Sequence, residues 1–438
     1  MNPPPAPAPP PEGLWAPLAH RNFRLLWGGF MVSHVGDFVQ VLAQSWLVVN
    51  LTPSGLKVGL VAFAQAVPRL VIGLAAGALI DRVDRRRLLL VTQSLAAVQS
   101  VVFWGLVHTG RVTYGWVLGL SLALGVLDSL NLNARQALMP SLVPRPMIAR
   151  AVALQALGVN VTQMLGPTLG GLLLGAWGVE GCLVFNAVTF TVLIGSITAM
   201  RLPPSEPVAT AGLRGDIAEG LAYVRDHAEL WVPIALAWFL GLVGMPLVRL
   251  LPLFARLELH ATGRGYGLLY AGAGVGAMAA SLLVTARARP AELPRNIVVG
   301  AVAFGVATAL FGAVGSWGAA FVALIAFGAA QMTFRSAVMT LVQTESPDRL
   351  RGRIISALTM DFALWSLGAV ALGAVVDVVA RARAGLPWGA DRAMIPAVAT
   401  GYGLRAVFVA SGLACALGGV FASRALKRVA DALRGRAG

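Results

Sequence analysis

Charge is what this 438-residue chain has least of: Asp, Glu, Lys and Arg make up 12% of it, against 57% hydrophobic residues. Soluble domains carry about 25% charged residues, because polar groups must cover their surface. The shortfall excludes an ordinary soluble enzyme, and the apolar content excludes a disordered chain; a polytopic membrane protein remains. Cysteine is nearly absent as well. Cys182 and Cys415 lie in separate apolar runs with no CxxC or Cys/His cluster, so neither a disulfide framework nor a zinc site is expected. The only lysines are Lys57 and Lys427, which makes the positive charge almost all arginine. A Walker lysine motif is missing. The glycine clusters GRGYG (263–267) and GAGVGAM (272–278) follow no strand pattern, so tight helix packing is expected of them, and no nucleotide cofactor or ATP drive. Residues 1–12 hold seven prolines and no basic residue. They lack the basic start and apolar stretch of a secretory leader, and residues 1–20 read as a disordered or polyproline II tail.

What is present is length in apolar runs. A spanning helix needs about 20 mainly apolar residues. Twelve stretches qualify, at 25–51, 58–80, 88–109, 115–139, 150–176, 181–200, 231–255, 265–287, 295–315, 318–342, 354–380 and 403–423. The net charge of +15 would suggest nucleic acid in a soluble protein; here its placement decides. With the N-terminus inside, cytoplasmic segments hold 22 Lys+Arg and outside segments 8, the remaining four lying within spans. That bias predicts a multi-pass protein of the inner membrane with both termini cytoplasmic. The longest connection, 201–230, begins with prolines and continues with Ile217, Leu221 and Val224 at helical spacing. A short amphipathic helix at the inner surface is expected there. It divides the chain into a six-helix bundle at 21–200 and another at 231–426, followed by a basic tail at 427–438. The halves echo one another: RQALM starts at Arg135 near the inner end of the fourth span and RSAVM at Arg335 in the tenth. Asn131 and Gln331 share that offset. Parallel six-plus-six duplications build transporters with a substrate site between the halves.

Ionisable residues inside spans are costly, at least about 2.5–3.5 kcal/mol at the bilayer centre. Each requires a partner, a watered cavity or a function. Asp37 stands near the middle of the first span, flanked by Ser33, His34, Gln40 and Gln44; together they predict one polar stripe facing a cavity. Burial raises a carboxyl pKa and a nearby cation lowers it, so Asp37 is a candidate for loading and releasing protons. Its alternative is a structural carboxylate paired to an arginine, for which Arg69, one turn after Gln65 in the second span, is the candidate. Asp361, with Trp365 one turn on, is a second proton-site candidate or a partner near the inner gate. Asp128 and Arg135 in the fourth span and Arg335 in the tenth suit gating more than substrate contact. Trp238 and Trp365 lie deeper than the other tryptophans and are candidates to line a cavity for a hydrophobic substrate.

The segment GALIDRVDRRR (77–87) resembles the G-x-L-x-D-R-x-G-R-R/K signature of the major facilitator superfamily. Gly77, Leu79, Asp81, Arg82, Arg85 and Arg86 match, and Asp84 replaces the signature glycine. The resemblance implies a latch in which these charges pair with helix ends across the two halves; Arg351 and Arg353, in the inner turn after the tenth span, are further gating candidates. GPTLGG, with Gly166, Pro167, Gly170 and Gly171, resembles the end of the motif found mostly in that superfamily's exporters; Thr162 departs from it upstream. RNFRLLWGGFMVSHVGDF, WLVVNLTPSGLKVGLVAF and NARQALMPSLVPR resemble a bacterial exporter branch that includes the enterobactin exporter and macrolide-efflux proteins. The expected fold is therefore an all-α membrane protein of twelve transmembrane helices in two six-helix bundles. The expected activity is proton-coupled export of a small amphipathic or hydrophobic compound by a monomer, with no metal and no cofactor. Uptake by a symporter or facilitator, and a non-transporting receptor or scaffold, are the alternatives.

Overall fold

The computed structural model describes residues 13–80, 84–201, 222–287, 292–347, 349–386 and 397–437. These residues are helical almost throughout, and among them no strand occurs. In the first half α1 is Arg21–Leu51, α2 Gly55–Ile80, α3 Arg85–His108 and α4 Tyr114–Leu138. Ile148–Thr198 is one helical stretch of 51 residues broken at Gly178, where φ is 66°. Such a left-handed turn suits a residue without a Cβ, and it separates α5 (148–177) from α6 (179–198). In the second half α7 is Ala228–Val243 and α8 Pro246–Leu257, α9 Gly263–Arg287, α10 Leu293–Ala313 and α11 Trp317–Glu345. Arg351–Thr359 is α12, Asp361–Arg383 is α13 and Ala397–Ala437 is α14.

Ten stretches of described residues are long and apolar enough to cross a membrane, and the 54-residue one, Arg145–Thr198, holds two spans. With the 26-residue α2 the number is twelve, α7–α8 and α12–α13 each forming one broken span. The first break falls at Gly244–Met245 with Pro246 opening the new helix, where proline is favoured because its missing N–H has no partner to lose. The surface is rich in exposed aliphatic and aromatic side chains such as Val98, Leu282, Leu417 and Phe421. That is the inverse of a soluble surface and suits contact with lipid.

Within the first half α1 packs on α5 and α6, and α2 and α3 on α4; within the second, α10 packs on α11 and α14, and α11 on α9. The halves meet along two seams, α2 against α13 and α5 against α9. In span numbers these are the second with the eleventh and the fifth with the eighth. Exchanging the halves converts one seam into the other, as a six-plus-six duplication requires. Both seams rest on small residues: a Cβ on Gly55 would stand 2.8 Å from the Gly373 carbonyl oxygen, and one on Gly171 2.4 Å from the Gly267 carbonyl. Only glycine permits backbones that close, and in lipid such approach is a main source of helix affinity.

Three expectations change at the edges. Within the stretch expected to be a disordered tail, Ala16–Ala19 forms a 3-10 turn with Ala16 and Pro17 buried, Ala16 in a cluster containing Phe23 and Leu26. Of the amphipathic helix, Ile217 and Leu221 lie outside the described residues, while Val224 is wholly buried in the main hydrophobic core and not at the surface. The basic tail does not leave the fold as a separate segment, since α14 continues helically to Ala437. The departure at Asp84 also has its cause: its carboxylate accepts the Arg87 N–H at 2.8 Å and caps α3. An acidic N-cap satisfies an otherwise orphaned donor, a stabilisation of about 1 kcal/mol.

Candidate functional site

The stripe expected around Asp37 divides into two. At about 100° per residue, Ser33, Gln40 and Gln44 share one line of α1, His34 lies a quarter-turn away, and Asp37 falls between. The first line points into the first bundle. Gln40 is fully buried; its amide donates to Gln99 at 3.3 Å, and its carbonyl accepts from Ser100 at 3.0 Å and Asn186 at 2.8 Å. Gln44 donates to Ser121 at 2.7 Å, and Ser33 is buried as well. This network joins α1 to α3, α4 and α6, so Gln40 and Gln44 bind helices together and do not line the cleft. Sequence polarity alone does not distinguish a helix–helix hydrogen bond from a cavity wall.

The second line faces the gap between the halves. Phe38 and Ser45 of α1 line a cavity there with Pro167 of α5, Arg249 of α8, and Tyr266 and Tyr270 of α9. One turn from Phe38, His34 lies between two rings, stacked on Phe30 at 5.0 Å and edge-on to Phe38 at 5.1 Å. Beyond Phe30 the guanidinium of Arg135 sits 3.3 Å from that ring's centroid, a cation–π contact of about 2 kcal/mol when desolvated. Asp37 meets His34 at 3.5 Å through Oδ2, while its Oδ1 is buried without a hydrogen-bond partner among the described residues. About a quarter of each of these two side chains remains exposed (His34 23%, Asp37 27%).

Other sequence candidates fall elsewhere. Asp361 is buried in an ion pair with Arg335, whose guanidinium also lies 5.7 Å from the Trp365 ring centroid. All three belong to α11 and α13 of the second half. Their closeness makes Asp361 a charge-neutralising partner of Arg335. Trp238 gives its indole N–H to the Ala357 carbonyl at 3.1 Å, and Trp365 packs against Gly241; the two tie α7 to the broken eleventh span. Gln65 is half-buried, with its backbone against Gly125 of α4. Asp128 is half-buried on α4, and Arg85 and Arg353 are half-buried at the starts of α3 and α12. Arg86 donates to the Ile197 and Thr198 carbonyls at 3.2 and 2.8 Å, and Arg351 to the Gln343 carbonyl at 3.0 Å; both cap helix ends in their own half. The side chain of Arg69, the surroundings of Gly77 and all of Asp81 and Arg82 lie outside the described residues. The GPTLGG segment sits where three helices converge: Gly166 against Phe38, Gly170 against Val39, Gly171 against Gly267.

What sequence reasoning missed is a cluster at the end of the molecule where α1 finishes and α2 begins. Asp377 of α13, 5% exposed, accepts from the Ser54 hydroxyl at 2.8 Å and from the Gly55 and Leu56 N–H groups at 3.0 and 3.2 Å. A carboxylate from one half thus caps a helix of the other, where both the orphan donors and the helix dipole favour it. Arg256 donates to the Val49 carbonyl at 2.8 Å and to the Asn50 side chain. Trp46 stacks on Tyr266 at 5.4 Å. These contacts join the halves and roof the cavity. The signal available was TPSG at 52–55, a capping sequence before an apolar run; its partner, more than 320 residues away, left no trace.

Two pseudo-equivalent helical bundles that meet along two seams, with ionisable groups at bilayer depth, define a transporter of the major facilitator type. The chain belongs to the family described as "Transmembrane secretion effector", whose model matches residues 12–406. It is therefore a multi-pass inner-membrane transporter of small molecules and not an enzyme. It is 26% identical over 372 residues to the multidrug efflux pump Tap of Mycobacterium tuberculosis, covering 81% of this chain and 87% of that one. To the enterobactin exporter EntS of Citrobacter koseri it is 28% identical over 321 residues, 71% of each chain. Among solved structures it is similar to a bacterial homologue of the human lysosomal transporter Spinster, described as inward-facing and unoccupied. That likeness has a TM-score of 0.71 at 18% identity and covers 93% of this chain and 98% of the other.

Proposed function

We propose that the protein exports a small amphipathic compound from the cell in exchange for protons, by alternating access. The single observation that carries this is Asp37: a carboxylate at mid-span of α1, one oxygen buried with no hydrogen-bond partner among the described residues and the other facing His34. Protonation and cargo compete for one conformational state, so uptake of a proton on one side drives release of cargo on the other. Export is favoured over uptake by the relatives, named as an efflux pump and an exporter. On the inside-first topology that the arginine bias predicts, the end joined by the cross-half contacts of Asp377, Arg256 and Trp46 is the outer one, which supports reading this as an inward-facing state. The cluster of Asp377, Ser54, Arg256 and Trp46–Tyr266 is then the outer gate. Residues 21–200 and 231–426 act as the two rocking bodies, with Asp81, Arg82, Arg85 and Arg86 as the latch of the opposite state.

The test is a substrate-driven proton flux. Purified protein is placed in liposomes holding a pH-sensitive dye, and a panel of amphipathic compounds is added outside. Exchange predicts alkalinisation of the lumen as a compound enters and protons leave; acidification would mark a symporter and overturn the reading.

A further inference from the structure

On the inside-first topology, the inner end of the first half carries charge that neither the cleft nor the latch uses. Three helix ends are drawn together there. The Asn22 side chain donates to the Arg201 carbonyl at 2.8 Å and accepts the Arg201 N–H at 3.1 Å, pinning the chain that leaves α6 to the first turn of α1. Arg86, at the start of α3, reaches the last carbonyls of α6. The convergence gathers Arg21, Arg24, Arg87 and Arg201, all exposed, at one end of the bundle. The one acid in the described parts of these ends is Asp84, whose carboxylate already caps α3. Close by, Trp15 is 60% exposed, although the turn that follows it is anchored by buried Ala16 and Pro17. We infer that this end of the molecule binds the headgroup of an anionic phospholipid of the inner leaflet. The inference goes beyond the transport reading and does not depend on the cargo.

Each part of such a lipid has a counterpart. The guanidinium fork presents two parallel N–H groups to phosphodiester oxygens, and basic clusters at the inner ends of spans attract anionic headgroups. The first turns of α1 and α3 add the positive ends of two helix dipoles. What marks the occupant as a lipid and not a free phosphate lies farther along the same helices. Val91, Leu95 and Val98 recur on one face of α3, and Val184, Val188 and Val192 on one face of α6; all six are exposed. The two helices run side by side over this length, since Ser100 of α3 donates to the Leu183 carbonyl of α6 at 3.0 Å. Apolar surface thus begins directly outward of the arginines, as a charged head joined to acyl chains requires. Trp15 supplies an aromatic ring at headgroup level.

Full-length protein is stripped of lipid in a neutral detergent and titrated with phosphatidylglycerol, phosphatidylcholine or glycerol phosphate, and bound molecules are counted by native mass spectrometry. The site predicts that phosphatidylglycerol binds about tenfold tighter than phosphatidylcholine and that salt shrinks the preference. Glycerol phosphate, which has the charge without the chains, should not compete at equal concentration. The triple variant Arg21→Gln, Arg87→Gln and Arg201→Gln should bring phosphatidylglycerol to the affinity of phosphatidylcholine. It keeps the backbone bonds between Arg201 and Asn22, and an unchanged melting temperature qualifies it. A control triple on α14, Arg424→Gln, Lys427→Gln and Arg428→Gln, removes equal charge from the same side of the membrane and should leave the preference intact. Trp15→Ala should weaken both lipids alike. Equal affinity for the two lipids, or a preference that survives the first triple variant, would overturn the site. An equal loss in the α14 control would overturn it too, by marking attraction to overall charge. Displacement of phosphatidylglycerol by glycerol phosphate would reassign the patch to a soluble phosphate and refute the lipid. None of these outcomes bears on whether the protein exports a compound against protons, which the liposome flux decides separately.

Discussion

Substituting Asp377 by alanine isolates the outer gate, because the carboxylate serves three donors of the other half and is nearly buried. Hydrogen bonds to a charged group contribute about 1.5–3 kcal/mol each, and buried donors left without an acceptor cost a similar amount. The three bonds share one carboxylate and are not additive, so about 3 kcal/mol is a fair value for the set. In the outward-open state Ser54 and the first turn of α2 are solvated, and the loss therefore falls on the sealed state alone. A shift of about 3 kcal/mol raises the open-to-sealed ratio roughly a hundredfold. Both native cysteines are buried, which suits a reporter: Ser45→Cys, in the cavity wall, in a background with Cys182 and Cys415 replaced by alanine. A membrane-impermeant maleimide added to intact cells should label this cysteine about a hundredfold faster when Asp377 is alanine, with Asp377→Asn between the two. Unchanged labelling in a variant that elutes and melts like its parent would refute both the magnitude and the assignment of this end as the outer gate.

Other perturbations separate structural from functional polar groups. Asp361→Ala removes the carboxylate that neutralises Arg335, and breaking a buried pair costs about 3–5 kcal/mol. The expected result is a large fall in melting temperature, visible by scanning fluorimetry before any assay of transport. Gly171→Val drives a side chain into the Gly267 backbone, where even a Cβ would stand 2.4 Å from the carbonyl carbon. The α5–α9 seam then cannot close, and impermeant labelling at Ser45→Cys should rise as it does for Asp377→Ala. Gln40→Leu removes the acceptor of Ser100 and Asn186 at the centre of the first bundle; it should lower stability by about 1–3 kcal/mol while leaving cargo selectivity intact, which competition between efflux substrates would show.

How far the sequence reveals this molecule depends on the range of each interaction. The twelve spans, the division into halves and the paired arginines at 135 and 335 are legible because hydropathy, loop charge and duplication are written locally along the chain. The break at Gly244–Pro246 carries a local mark; the one before Asp361 carries none, since Met360 has ordinary helical preferences. Asp37 is conspicuous as an acid in an apolar run. Its neighbours are not sorted the same way: Gln40 and Gln44 look like cavity residues on a helical projection, yet they meet Gln99, Ser100, Ser121 and Asn186, which become visible only when α3, α4 and α6 are in place. Cross-half partners such as Asp377 and Ser54 depend on how two bundles dock.

Proton coupling through Asp37 is the central claim, and one measurement addresses it most directly. Proteoliposomes loaded with a transported compound are given an imposed pH gradient, and efflux is followed for the wild type and for Asp37→Asn. The wild type should accelerate with the gradient, whereas Asp37→Asn should retain cargo exchange but lose its response to the gradient. A variant that keeps the full pH-gradient dependence would contradict the account and return Asp37 to a structural role.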